Sequence, residues 1–339
     1  MQEDILIREQ INNLFSHIDD IPKNRKYWLI RTESGRFFED FIKEDFVALG
    51  YEQIKISEYH KLKLPRENFL KNIKVAAEKS YPDNHAGLIA SQITKFIYDV
   101  KINDIVVIPS ENSEMVSFGI VCSNNTFFSA NINDEIYTTR RKVRWLKTYT
   151  RKNLDPYLFK VFQAHQAIND ISKYDHLLER SLGSFYRLED NVNLVLEVNQ
   201  ESNIKAMNLM YYGSDLLTVV SQYIEEHNLD FDISDIEVKI NVNSKGKIQF
   251  LSKTGKNLLL IGIFVLAING GGIKIDNPNF KVDMSTDGVI KNVNQFLNER
   301  QDRQLKERLF LSADSLKIES PEDLLELLKQ FSTNKDKSK

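Results

Sequence analysis

The sequence predicts a two-domain α+β protein, and three observations lead there. Short apolar segments, Tyr27–Arg31, Phe46–Leu49, Ile105–Ile108, Met115–Cys122 and Lys142–Leu146, are interrupted by helical sequence from Arg66 to Val100 instead of alternating with helices. That order suits a small, partly closed barrel with a helical insert better than a parallel sheet. Further on, Ile236, Val238, Ile240 and Val242 alternate with polar residues and are followed by KIQFLS, which predicts a hairpin turning through Ser244-Lys-Gly246. Leu258–Ile268 is apolar throughout its eleven residues. A membrane span needs about 20 such residues, so this run predicts a helix buried on all sides. The chain has 339 residues, more than a single core of roughly 250 to 300 residues holds.

In chain order, residues 1–25 predict an N-terminal helix, with Ile5, Leu6, Ile11, Leu14, Phe15 and Ile18 at helical spacing and a stop at Asp19-Asp-Ile-Pro22. Residues 26–152 form the small barrel, and Phe37, Phe38 and Phe41 within it fit the buried side of a short helix. Residues 153–190 return to helical periodicity through Leu158, Phe162, Ile168, Ile171, Leu177 and Leu178 and are expected to be a helical bridge. Residues 191–331 make the second α+β domain. Its expected elements are a strand at Asn193–Val198, a helix over Lys205–His227, the hairpin, the apolar helix, and short strands around Ile273–Ile275 and Phe280–Met284. A helix from Gly288 carries Val289, Ile290, Val293, Phe296 and Leu297 and continues into the polar ERQDRQLKER. The last helix starts at Ser320-Pro321. Residues 332–339 are expected to fray.

Composition narrows the chemistry. With 42% hydrophobic and 27% charged residues the chain is globular, not disordered. One cysteine, Cys122, excludes an internal disulfide and a cysteine-rich zinc site, and a place inside an apolar strand makes it a buried thiol. The opening MQEDILIREQ lacks the basic and apolar regions of a secretory signal, so a cytoplasmic setting is expected. The six histidines include no H-x-x-x-H pair, and Ser252-Lys-Thr-Gly-Lys256 lacks the rest of a phosphate loop. No metal or cofactor is called for.

The charge pattern points to a polyanion. RRKVRWLKTYTRK (Arg140–Lys152) holds seven Lys or Arg with Trp145 and Tyr149, in a protein of net charge -3. A polyanion gains counterion release and aromatic stacking from such a stripe. Arg140, Arg141, Lys142, Arg144, Trp145, Lys147 and Arg151 are the expected backbone contacts. A solvated strand with Trp and Tyr packed inward reads the same residues without a ligand.

YWLIRTESGRFFEDFIKEDFVALGY, QITKFIYDVKINDIVVIPS, EMVSFGIVCS and RRKVRWLK, in that order, resemble the EVE-like module of the PUA superfamily. That module occurs at the front of some Mrr-type restriction endonucleases and other bacterial phage-defence proteins. The resemblance covers about Lys26 to Thr150. It implies a PUA/EVE-like barrel whose pocket receives a nucleobase, often modified, or a nucleotide ligand. Carried over, the pocket residues are Trp28, Arg31, Phe46, Gly50, Tyr51 and Ser110. A flipped base needs an aromatic face and polar groups at its edge, which these residues supply. Trp28 fits strand core equally well.

Mrr-type enzymes also carry a metal-dependent nuclease, and Asp235, Glu237 and Lys239 have the spacing of such a set. The alternation of a half-buried hairpin strand explains the same positions, and the strand leads to KIQFLS instead of a helix. The expected protein is therefore a binder of nucleic acid or a nucleotide more than an enzyme. It is also expected to form homo-oligomers through the C-terminal domain and to act with partner proteins of a defence system. A Mg-dependent nuclease and a self-assembling or membrane-perturbing effector are the alternatives, and a membrane partner is not expected.

Overall fold

The computed structural model describes residues 2–128, 137–242, 245–270, 288–299 and 302–336. The protein is mixed α+β and divides into two compact units, Asn24–Leu182 and Met1–Lys23 with Gly183–Lys339. Helix α1 (Gln2–Phe15) thus belongs with the C-terminal residues. Its buried line is Ile7, Ile11 and Leu14, followed by Ile18, whereas Ile5 and Leu6, expected inside, are exposed.

The unit Asn24–Leu182 contains β1 (Tyr27–Ile30), α2 (Phe38–Lys43), β2 (Phe46–Leu49), α3 (Ile56–Lys61), α4 (Arg66–Ser80) and α5 (Ala86–Thr94). After them come β3 (Ile105–Pro109), β4 (Met115–Val121), β5 (Phe127–Phe128), β6 (Thr139–Thr150), β7 (Ile168–Asp170) and α6 (Asp175–Leu182). The strands form one curled half-barrel sheet in the order β2-β6-β4-β3-β1-β7, with β5 paired to β6. β1 and β3 run parallel, with Trp28 beside Val106; β1 and β7 run antiparallel.

The apolar runs of β1 and β3 are continuous because both sheet faces are covered. Trp28, Ile30, Val106 and Ile108 face a core that includes Phe69 and Ile73 of α4 and Ile93 of α5. Tyr27, Leu29, Ile105 and Val107 face a second core made with Leu154, Leu158, Phe162, Ile171 and Leu178. The stretch expected to bridge two domains is therefore divided: residues through Leu182 form the second layer of this unit.

β4 and β6 shift register between Phe118 and Gly119. A Cβ on Gly119 would stand 2.3 Å from Val143 Cγ1 and 2.8 Å from Trp145 Cε3, so glycine alone admits the bulge there. Cys122 lies past the end of β4 and is exposed, not buried as expected. The pattern Phe118–Cys122 overran the strand by one position.

The other unit contains β8 (Phe185–Leu188), β9 (Asn191–Val198), α7 (Ala206–Glu226), β10 (Glu237–Val242), β11 (Gly246–Ser252) and α8 (Lys256–Gly270). α9 (Val289–Glu299), α10 (Arg303–Leu316) and α11 (Glu322–Asp336) complete it. Its antiparallel sheet has the order β10-β11-β9-β8. Leu258 to Ile268 are buried, so α8 is the central helix that the apolar run predicted. Among the described residues no helix is long and apolar enough to cross a membrane.

Three details differ from expectation. The helix from Gly288 does not run on into the polar stretch; α10 starts anew with Asp302 Oδ1 accepting from the Leu305 backbone N–H at 3.1 Å. α10 also has its own buried line, Leu305, Leu309 and Leu316. α11 continues to Asp336, into the stretch expected to fray. The strands expected at Ile273–Ile275 and Phe280–Met284, and Ser244 of the hairpin turn, lie outside the described residues.

Candidate functional site

Strand ends of the half-barrel sheet border a cleft of about 690 Å³ in the unit Asn24–Leu182. Its walls come from the end of β1 (Arg31) and the turn Glu33-Ser34. The end of β2 with Gly50-Tyr51-Glu52, Gln92 of α5, Tyr137, and His165-Gln166-Ala167 ahead of β7 complete it. The volume falls within the range of small-molecule sites, about 300 to 1,000 Å³.

Two tyrosines give the cleft its aromatic surface. Tyr137 packs edge-on against Phe37 and Phe41, with ring centroids 4.7 and 5.2 Å apart, and lies 3.4 Å from where a Cβ on Gly50 would stand. Gly50 therefore lets β2 pass close to that ring. Tyr51 packs edge-on against Tyr81 at 6.0 Å. Burial pushes both phenols up, Tyr51 to about 12, so both remain neutral donors.

Polar groups surround these rings. Gln92 is 3% exposed, and its Oε1 accepts from Ala167 N at 2.5 Å and Ile168 N at 3.4 Å. Its amide NH₂ has no hydrogen bond to the described residues. Arg31 donates from Nε to Ala164 O at 2.9 Å and from Nη2 to Ala164 O at 2.6 Å and Phe162 O at 2.5 Å. This fixes the guanidinium beside the cleft, and burial lowers its pKa from the usual range. Burial raises the Glu52 carboxyl, against the backbone N–H of Thr138 that donates to Oε1 at 3.2 Å.

The turn at the rim is strained. Glu33, Ser34 and Gly35 have φ of 50°, 55° and 97° in succession. Only glycine fits the third place, since a Cβ there would stand 1.9 Å from Glu111 N. Non-glycine residues in this region are uncommon and concentrate where function or tight packing holds them.

Of the six residues expected in the pocket, Arg31, Gly50 and Tyr51 line the cleft. Trp28 does not; it is 1% exposed, and its indole donates to Asp104 Oδ2 at 2.8 Å. Phe46 is core, beneath the Arg140 guanidinium at 4.1 Å. Ser110 sits in the tight turn beyond β3, where its Oγ accepts from Met115 N at 2.8 Å. Gln92, Glu52, Tyr137 and Gln166 carried no sequence signal, because they come from four segments that only the fold joins.

The basic stripe divides in the same way. Arg141 is fully buried and donates to four carbonyls, those of Phe96, Ile97, Ser123 and Asn124, at 2.7 to 3.3 Å. It is a structural strut and not a phosphate contact. Arg140 is 9% exposed and pairs with Glu44 at 3.1 Å. Trp145 donates to Phe41 O at 3.0 Å, and Arg151 stacks over Phe159 at 4.7 Å. Lys147 is half-buried, while Lys142 and Arg144, two apart on β6, are exposed.

Residues 26–171 match the model of a domain of unknown function, DUF8426.

That match spans β1 to β7 and every cleft residue, and nearly coincides with the compact unit Asn24–Leu182. No curated protein and no solved structure matches the chain.

Asp235, Glu237 and Lys239, the residues of the nuclease alternative, lie just before and on β10. Asp235 Oδ2 accepts from Ser252 Oγ at 2.8 Å and Oδ1 from Asn257 Nδ2 at 2.8 Å, which tie the carboxylate to the loop before α8. Those hydrogen bonds oppose its burial and leave its pKa lowered. Glu237 and Lys239 lie exposed on β10. Among the described residues no group of three His, Cys, Asp or Glu side chains could hold a metal ion.

Proposed function

We propose that the unit Asn24–Leu182 is an EVE-like reader that takes a nucleobase, presented from nucleic acid or as a nucleotide, into the cleft between Tyr51, Tyr137 and Gln92. The observation that carries this reading is the buried Gln92 amide. Its oxygen is engaged by backbone, and its NH₂ is left to a ligand beside two aromatic rings. A base edge presents acceptors for such a donor, and its π-face stacks on tyrosine. Arg31 and Glu52 add a fixed donor and an acceptor at the same wall.

Lys142 and Arg144 supply the polyanion contact in this reading, reduced from the seven cations of the stripe. The motif resemblance adds a bacterial, cytoplasmic, phage-defence setting, in which the C-terminal unit assembles or meets partner proteins.

The test is fluorescence anisotropy of the protein against single- and double-stranded DNA and RNA, with and without modified cytosines, alongside calorimetry with free nucleotides. Binding that Gln92→Ala and Tyr51→Ala each weaken at least tenfold, about 1.4 kcal/mol, supports the reader. Absence of binding to every probe, or binding that ignores both changes, overturns it.

A further inference from the structure

We propose that the unit containing Gly183–Lys339 forms a two-fold dimer by pairing β10 with β10 of a second copy. The strands run antiparallel, with Val238 opposite Val238 on the axis. This names a surface for the assembly proposed above and does not depend on the cleft.

β10 ends its sheet among the described residues. Val238 and Ile240 are 51% and 48% exposed. Their cross-strand partners Phe250 and Ile248 are buried, and these pair in turn with Leu194 and Leu196 of the core. Cross-strand partners share a sheet face, so among the described residues the core face continues onto the half-exposed edge strand. Its neighbours Ile236 and Val242 pack against that core. Natural sheets protect such edges with inward charges, prolines, bulges or a partner, and on this face Val238 and Ile240 supply none of the first three.

Charge selects the partner and the register. Glu237 and Lys239 are exposed on the opposite face of β10, and their side chains make no hydrogen bond or ion pair to the described residues. With Val238 on the axis, Glu237 of each copy faces Lys239 of the other, and Ile236 faces Ile240 on the apolar side. Moving the axis to Glu237 or to Lys239 sets two like charges opposite each other. A second copy of this strand is therefore complementary to the first in charge and apolarity at once. One strand pair is a small interface, below about 1,200 Å², so the dimer should dissociate at micromolar concentrations.

Sedimentation equilibrium of the full chain across the micromolar range tests this. The wild type should pass from monomer to dimer and no further, because the pairing uses up the edge. Glu237→Lys alone and Lys239→Glu alone should each weaken the dimer about tenfold, and the double exchange should restore it. Both side chains are exposed, and rescue by the double exchange separates pairing from misfolding. A monomer at all concentrations, a larger oligomer, or a dimer indifferent to the single changes overturns the proposal. Since the nucleotide assay reads the cleft and this one reads mass, failure of either is distinguishable from failure of the other.

Discussion

The Trp28 indole nitrogen and the Asp104 carboxylate are 2.8 Å apart inside the Asn24–Leu182 unit, and they hold one corner of the sheet. The same carboxylate accepts from Lys26 N at 3.0 Å and Lys101 N at 2.8 Å, joining the start of β1 to the turn before β3. Trp28→Phe should cost about 1 to 3 kcal/mol, because it empties volume and strips one donor from a buried acceptor. Urea unfolding measures this, and ligand affinity at saturating folded protein should not change. A variant that loses binding at wild-type stability would return Trp28 to the pocket.

Arg141 and its neighbours on β6 separate stability from polyanion binding. Burial lowers the Arg141 guanidinium to about 10, still cationic at neutral pH, and its four carbonyl contacts compensate the charge. Arg141→Ala should destabilise by about 3 kcal/mol. Lys142→Glu with Arg144→Glu should leave the unfolding midpoint unchanged and lower the slope of log affinity against log salt by about two units. An unchanged slope removes β6 from the interface.

Glu52 sets a pH dependence. Burial raises its carboxyl above the usual glutamate range, so the folded protein holds that proton more tightly than the unfolded chain does. The stabilisation is full below the unfolded glutamate pKa and is lost as pH rises through the raised folded value. Glu52→Gln cannot ionise and should flatten stability against pH across that window, with a higher midpoint than wild type at neutral pH. Parallel curves for the two proteins would show that Glu52 does not titrate differently on folding.

The bulge at Gly119 gives a steric prediction. Gly119→Ala places a methyl group 2.3 Å from Val143 Cγ1 and 2.8 Å from Trp145 Cε3, so both side chains must move or the β4-β6 register must shift. A loss of about 1 to 3 kcal/mol is expected, with altered tryptophan fluorescence. Wild-type stability and spectrum would mean that the bulge absorbs the methyl group.

The residues that were legible in the sequence are those whose role is periodic. α8 could be read from an unbroken apolar run, α7 from helical spacing, and β1 and β3 from continuous β-branched and aromatic residues. The N-terminal line Ile7–Ile11–Leu14 was misread because Ile5 and Leu6 fit a helical period too, and only packing chooses among apolar neighbours. The cleft was half legible for a different reason. Arg31, Gly50 and Tyr51 were named by the motif resemblance, whereas Gln92, Glu52, Tyr137 and Gln166 are ordinary residues until the fold brings them together. Arg141 shows the same limit in charge: a cation in a basic stripe reads as exposed, and its burial depends on carbonyls from two distant segments.

Local patterns in the chain were enough to set the α+β class, the short-strand unit with its helical insert, the hairpin and the buried helix, because periodicity encodes which face of each element avoids water. Which polar side chains face the cleft, which cations stay in solvent, and where the chain divides were settled by packing. It also left Val238 and Ile240 half-exposed on the strand that ends the sheet among the described residues. Those outcomes depend on contacts between residues far apart in the chain, and no local pattern carries them.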